Sequence, residues 1–360
     1  MPGFVNARLC CKLIGMSDLI LGIETSCDET AAAVIEGGKK ALSNVVASQV
    51  DIHKEYGGVV PEIASRKHVE LILAVVKKAL TSAGKDTDEL EGIAVTNGPG
   101  LLGSLMVGLS TAKAFAYGLG IPLIGVNHLE AHLSAVHLEH DVEFPFVGLV
   151  VSGGHTSLYL VKDYAEFELL GKTRDDAAGE VLDKAAKLLG LGYPGGVEID
   201  RIAKEGDPDA IRFPRPFKSS ASFDFSFSGL KTSIVYYIRK HPAPDSERLK
   251  DVCAGYQEAI AETLTDKTLL AAMEYGVKSA VISGGVACNS RLRALARERF
   301  DKEGITLHIP SPVYCTDNAA MIGALGAMRL RLGESSELNL NPYSTSRPRY
   351  VRGKGTIKST

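Results

Sequence analysis

His128 and His132 stand four residues apart in Asn127-His128-Leu129-Glu130-Ala131-His132, directly after the apolar run Ile121-Pro122-Leu123-Ile124-Gly125-Val126. Each helical residue advances about 100°, so the two imidazoles are offset by about 40° and share one face. Neutral imidazoles at that spacing can hold one transition metal between them. A zinc-protease helix reads His-Glu-x-x-His, with the Glu set to activate water. Here Glu130 lies about 200° from His128, points away from the metal face and cannot be that base. Asn127 with Glu130 three residues on reads as a capping-box variant, which gives Glu130 a structural role. His137 and His140 fall on other faces and read as surface histidines.

Two glycine turns offer a second chemistry. Ser152-Gly153-Gly154 and Ser283-Gly284-Gly285 each follow an apolar strand-like run. Without a Cβ, backbone N–H groups can close around an anion, so the pair points to a nucleotide phosphate site. There is no Gly-x-x-x-x-Gly-Lys-Ser and no Gly-x-Gly-x-x-Gly after a strand, which argues against a P-loop and a dinucleotide fold.

The elements that must position these groups alternate. Leu19–Ile23 and Ala31–Ile35 read as strands joined by the acidic tip Glu24-Thr25-Ser26-Cys27-Asp28-Glu29-Thr30, a hairpin. Residues 62–83 read as an amphipathic helix. Residues 92–96 read as a strand closed by Asn97-Gly98-Pro99-Gly100, and residues 102–117 as a helix of small residues. The pattern then restarts: a strand at 144–151, the first Ser-Gly-Gly turn and a return strand at 158–161. Helices follow at 176–189 and 247–275, then a strand at 279–282, a basic helix from Arg291 and a last helix from Asn318 to about Leu330 that Thr316-Asp317 would cap. Alternating strands and helices predict an α/β fold. Two halves that each open with a hairpin predict two similar domains facing each other across a cleft lined by the glycine turns.

Composition sets outer limits. The 360 residues are 45% hydrophobic and 23% charged, ordinary for a globular chain long enough for two domains. A formal net charge of −3 carries no global nucleic-acid signature. No apolar run reaches membrane-span length. Cys10, Cys11, Cys27, Cys253, Cys288 and Cys315 show no Cys-x-x-Cys spacing and read as reduced thiols of a cytoplasmic protein. Residues 1–16 read as an extension before a natural start near Met16. Residues 336–360 read as a basic solvated tail, with RNA contact as a lesser alternative.

Taken in order, the motifs resemble the TsaD family, the bacterial tRNA N6-adenosine threonylcarbamoyltransferases once labelled O-sialoglycoprotein endopeptidases. The resemblance spans about 17–335. It rests on Gly22-Ile23-Glu24-Thr25-Ser26-Cys27-Asp28-Glu29-Thr30, Asn97-Gly98-Pro99-Gly100, His128-Leu129-Glu130-Ala131-His132, Val151-Ser152-Gly153-Gly154-His155-Thr156, Asp175-Asp176-Ala177-Ala178-Gly179-Glu180, Tyr193-Pro194-Gly195-Gly196, Ser283-Gly284-Gly285-Val286-Ala287-Cys288-Asn289 and Cys315-Thr316-Asp317-Asn318-Ala319-Ala320. It implies the actin-like ATPase and sugar-kinase fold, with residues 17–143 plus 313–335 in one domain and 144–312 in the other.

The resemblance further implies that Asp317 joins His128 and His132 around one divalent metal, Fe²⁺ or Zn²⁺. Val150, Val151, Ser152, Gly153 and Gly154 would cradle the phosphate end of an adenine nucleotide (threonylcarbamoyl-AMP, ATP or ADP). Asp183, Gly196, Asp200 and Asn289 would hold its ribose and base. Without the family, Asp183 reads equally as a helix-surface partner of Lys187. The implied reaction moves threonylcarbamoyl to N6 of adenosine 37 in tRNAs reading codons that begin with adenine, with Asp28 or Glu29 as the base. Arg212, Arg215 and Lys218, interleaved with Phe213 and Phe217, form one candidate tRNA patch. The family works with a TsaB-like paralogous subunit, a TsaE-like ATPase and a separate synthase that supplies threonylcarbamoyl-AMP. The rival readings are a small-molecule kinase of the same fold, a metalloprotease and a non-catalytic scaffold subunit.

Overall fold

The computed structural model describes residues 18–215, 222–242 and 245–344. The first sheet is built from β1 (Leu19–Glu24), β2 (Glu29–Glu36), β3 (Lys40–Ser48), β4 (Gly92–Gly98) and β5 (Leu123–Asn127), in the order β3-β2-β1-β4-β5. The second is built from β6 (Phe146–Val151), β7 (Thr156–Val161), β8 (Phe167–Lys172), β9 (Ser279–Ser283) and β10 (Thr306–His308), in the order β10-β9-β6-β7-β8. In each sheet the first three strands pair antiparallel and the last two add in parallel. The two sheets thus repeat one topology.

Each half therefore opens with a three-stranded meander, one strand more than the expected hairpin. The added strands β3 and β8 lie at sheet edges. Their residues alternate poorly because only part of each strand is covered, so they leave a weak periodic signal.

Between the strands run α1 (Val50–Lys54), α2 (Pro61–Ala83), α3 (Leu102–Leu119), α4 (His128–Ser134), α5 (Ala178–Leu188), α6 (Gly195–Ala203), α7 (Ser228–Lys240), α8 (Ser246–Glu274), α9 (Ser290–Lys302), α10 (Pro312–Cys315) and α11 (Ala319–Arg331). The inner face of α2 repeats at helical spacing, with Ile72, Val75, Val76, Ala79 and Leu80 packed with α3 against one face of the first sheet. The opposite face is covered by α11. That helix is rich in small residues because it lies almost against β1. A Cβ on Gly22 would come within 2.3 Å of the Ala319 carbonyl oxygen and 2.7 Å of Gly323 N. No helix among the described residues is long and apolar enough to cross a membrane.

The short helix α4 is buried along its whole length because it is wedged between the two halves. Leu129 and Leu133 pack on Phe146 and Val150 of β6, while Ala131 packs with Ile124, Val126 and Met321. Burying each leucine is worth about 2 kcal/mol, so the helix that carries His128 and His132 is held by both halves at once. Its first turn is capped by Asn127, whose Oδ1 accepts from Leu129 N at 2.9 Å and Glu130 N at 3.2 Å. Glu130 does not complete a capping box. It pairs with Arg329 of α11, and both side chains are buried.

Two surface expectations are corrected. His137 is buried against Phe144 and Tyr164, and burial lowers its pKa to about 4. Residues 336–344 are tied down as a strap along β5. Ser336 Oγ accepts from Gly125 N at 3.1 Å, Leu340 O from Lys113 Nζ at 2.6 Å and Tyr343 OH from Asn127 Nδ2 at 3.0 Å. The basic stretch beyond Ser344, and residues 1–17, lie outside the described residues.

Candidate metal centre and cleft

The three side chains expected to hold a metal converge. His132 Nε2 lies 3.2 Å from His128 Nε2 and 3.1 Å from Asp317 Oδ1, and His128 Nε2 lies 3.5 Å from the same oxygen. Donor atoms about 2.1 Å from one tetrahedrally bound ion stand about 3.4 Å apart, so this spacing fits a shared cation. The chemistry of the donors fits as well. Glu24 Oε2 can accept from His128 Nδ1 at 3.0 Å, an arrangement that, once a metal displaces the Nε2 proton, turns the Nε2 lone pair toward the other two donors.

Glu24 was missed in the sequence, although a carboxylate ending the apolar strand Leu19–Glu24 was its signal. It is fully buried and also accepts from Ser26 N and, at 2.5 Å, from Thr96 Oγ1. Burial opposes charge on His128, but Asp317 and Glu24 outweigh it and hold its pKa well above the ordinary value. Burial raises the pKa of Asp317, yet His128 and His132 pull it well below the usual carboxylate range. His132, buried and next to a charged His128, has a lowered pKa despite Asp317.

Asp317 does not cap α11. That role belongs to Asn318, whose Oδ1 accepts from Met321 N at 3.0 Å and whose Nδ2 donates to Thr316 O at 2.8 Å. Asn318 thereby fixes the turn and leaves the Asp317 carboxylate free for the histidines.

The centre opens into a cleft of about 1020 Å³ between the halves. Asp28 and Glu29 of the first half and Ser152, Gly153, Gly154 and His155 of the second are among its lining residues. Glu29 is pushed up to about 9, first by burial and then by Asp317 and Asp28. His155 is lowered to about 4 by burial and by the two histidines of the centre. In the first glycine turn, Ser152 N donates to His155 O at 2.8 Å and His155 N to Ser152 Oγ at 3.2 Å, and both glycines remain exposed.

Of the nucleotide residues implied by the resemblance, Ser152, Gly153, Gly154 and Asp183 line this cleft. Val150 and Val151 are buried within β6, paired with Ser157 and Thr156, so only the strand's end opens outward. Asp183 lines the cleft, but as the cap of α6, accepting from Gly195 N at 2.8 Å and Gly196 N at 3.3 Å rather than pairing with Lys187. Asp200 accepts from Ser290 Oγ at 2.7 Å. Asn289 caps α9 through Leu292 N at 3.0 Å and donates to Gln257 Oε1 at 2.7 Å. Both contacts tie neighbouring elements of the second half together.

Phe213 is core, Arg215 pairs with Glu262 at 2.6 Å and Arg212 with Asp209 at 3.5 Å, while Phe217 and Lys218 lie outside the described residues.

Among solved structures, the chain is similar to HypF of T. kodakarensis, with a TM-score of 0.62 at 18% identity over 88% of this chain and 48% of that one. It is also similar to component A of the (R)-2-hydroxyglutaryl-CoA dehydratase of Acidaminococcus fermentans, with a TM-score of 0.53 at 15% identity over 88% of this chain and 100% of that one. These likenesses show the actin-like ATPase fold. In sequence, the chain is 58% identical to a tRNA N6-adenosine threonylcarbamoyltransferase of Geotalea uraniireducens over 86% of this chain and 90% of that protein. It is 57% identical to one of Syntrophus aciditrophicus over 91% and 96%. The model of the family "TsaD: tRNA N6-adenosine threonylcarbamoyltransferase" matches residues 40–324. With that match and relatives this similar over most of their length, the chain belongs to the TsaD family of tRNA N6-adenosine threonylcarbamoyltransferases.

Proposed function

We propose that the cleft between the two sheets is where this tRNA N6-adenosine threonylcarbamoyltransferase works, with threonylcarbamoyl-AMP as donor and adenosine 37 as acceptor. The observation that carries this reading is the meeting of His128, His132 and Asp317 at a cleft that Asp28, Glu29 and the Ser152–Gly154 turn also line. His128, His132 and Asp317 would hold one Fe²⁺ or Zn²⁺, which when bound supplies Lewis acidity.

The adenosine N6 attacks the carbamoyl carbonyl carbon. The new C–N bond forms, the C–O bond to the phosphate breaks, and AMP leaves with that electron pair. Asp28 or Glu29, at the acidic tip, would accept the N6 proton. Exposed backbone N–H groups of Gly153 and Gly154 suit the negative charge that grows on that phosphate. Asp183, Gly196, Asp200 and Asn289 remain the residues proposed for the ribose and base, with Asp183 closest in position to that task. A HypF structure is described as phosphate- and nucleotide-bound, and ATP or ADP could occupy the same cleft here.

We further assign a cytoplasmic setting, a separate synthase for the donor, and a TsaB-like subunit and TsaE-like ATPase as partners. Val69, Leu73 and Met106, all more than half exposed on α2 and α3, are where we place the paralogous subunit.

The test is transfer of labelled threonylcarbamoyl to unmodified tRNA, with the partner proteins present, before and after chelation. Wild type should label the tRNA, and His128→Ala, His132→Ala and Asp317→Ala should each lose at least about a hundredfold. Full activity in metal-stripped protein would overturn the metal assignment.

A further inference from the structure

The acidic tip between β1 and β2 carries a mechanical problem. Asp28 and Glu29 are adjacent carboxyl groups, and Glu29 feels both Asp28 and the Asp317 carboxylate. Carboxyl groups crowded this closely keep a common aim only if the backbone between them is held. Several contacts do hold it. Gln49 N donates to Asp28 O at 3.1 Å, and Leu101 N donates to Ser26 O at 2.8 Å. Gly100 sits so close that a Cβ there would come within 2.6 Å of Ser26 O.

His68, on the inner face of α2, spans the tip with one ring. Its Nε2 lies 2.9 Å from the Cys27 carbonyl oxygen and its Nδ1 lies 2.7 Å from Thr30 Oγ1. A carbonyl only accepts, so Nε2 carries the proton; in the neutral ring Nδ1 then accepts, and the Thr30 hydroxyl donates to it. Burial lowers the pKa of His68, although Cys27 O and nearby carboxylates oppose the shift, and the neutral ring is favoured. The side chain is fully buried and is not one of the three residues of the metal centre. A buried histidine in an otherwise apolar helix face costs stability unless both nitrogens are satisfied. Here both are satisfied by the residues that flank Asp28 and Glu29.

We propose that His68 is a positioning residue for the transfer reaction, clamping Cys27 and Thr30 so that the Asp28 and Glu29 carboxyl groups stay aimed into the cleft. This rests on the reading that the tip handles the proton of the attacking amine. The clamp has no contact with donor or tRNA to lose, so its effect falls on turnover and not on substrate affinity. Misplacing a reacting group by about 1 Å can cost about a hundredfold in rate.

The experiment measures kcat and KM for tRNA and for threonylcarbamoyl-AMP in the assembled complex, normalised to folded, metal-loaded protein. His68→Leu fills the volume without either hydrogen bond, and should lower kcat about 10- to 100-fold with both KM values within about twofold. His68→Gln can donate to Cys27 O and accept from Thr30, and should recover most of the rate. Thr30→Val is the milder probe should His68→Leu fail to fold, and should lower kcat severalfold. Equal kcat in wild type, His68→Leu and Thr30→Val, with differences only in melting temperature, would overturn the proposal. Asp28→Asn and Glu29→Gln are run beside them. If these turn over normally, the tip reading falls and the clamp with it. If they are inactive while His68→Leu and Thr30→Val are as fast as wild type, the clamp alone is wrong.

Discussion

Glu24 Oε2 and His128 Nδ1 lie 3.0 Å apart, and this one contact turns the opposite ring nitrogen toward His132 and Asp317. A carboxylate behind a metal-binding imidazole fixes its tautomer and raises its basicity. Glu24→Gln keeps the shape but weakens both effects. We expect metal affinity to fall about 10- to 100-fold, read as metal retained after dialysis against a competing chelator. Unchanged retention would show that the contact serves only the fold.

Metal binding should also depend on pH. His128 has a pKa raised well above the ordinary histidine value by Asp317 and Glu24 against the pull of burial. Below that pKa a cation must displace a proton to reach Nε2. Affinity should therefore tighten as pH rises through neutrality, by up to about tenfold per unit. Calorimetry in buffers of different ionisation enthalpy should show proton release on binding, and its absence would contradict the charge on His128.

Glu29 predicts the pH response of the metal-free protein. Its carboxyl is raised from 4.5 to about 9 by burial, Asp317 and Asp28. The folded state then holds a proton that the unfolded state has lost across that window. Stability from this group is present below about pH 4.5 and drains away as pH rises toward 9. Melting temperatures of metal-free wild type should fall between pH 5 and 9 more steeply than those of Glu29→Gln. Parallel curves would refute the assignment.

The pair formed by Glu130 and Arg329 is buried on both sides. Removing one partner strands the other charge inside the protein. Glu130→Ala should destabilise by about 3–5 kcal/mol, seen in denaturant melts. The double change to apolar residues of similar volume should recover much of that loss.

Leu73→Asp places a charge on the exposed face of α2 without disturbing its packed side. The chain should fold and bind metal as before, yet lose the paralogous subunit in co-purification and in light scattering. Retained binding would move the interface elsewhere.

The sequence shows those features that depend on local spacing. The His128–His132 pair follows from helical geometry alone, and the glycine turns from strand ends. What it hides are partnerships made across the fold. Asp317 lies 185 residues from His132 and meets it only because α11 returns to the first sheet. Glu24 looks like the polar end of a strand until β4 and α4 close around it. His137 carries no periodic sign of its burial, because the aromatic cage comes from Phe144 and Tyr164 on the following segment. The hydrogen bonds by which Asp200 and Asn289 join neighbouring elements leave no mark in the spacing of either motif.

The position of α11 has a consequence for how the protein is made. β1, β2 and β4 emerge early from the ribosome, but one face of their sheet stays bare until residues 319–331 have been synthesised. The second sheet is complete by His308, before that helix exists. The nascent chain therefore finishes its middle first and its beginning last. Asp317 arrives on the same stretch that seals the first sheet, so a chain stopped short of α11 would carry both histidines and still have no closed place for a metal.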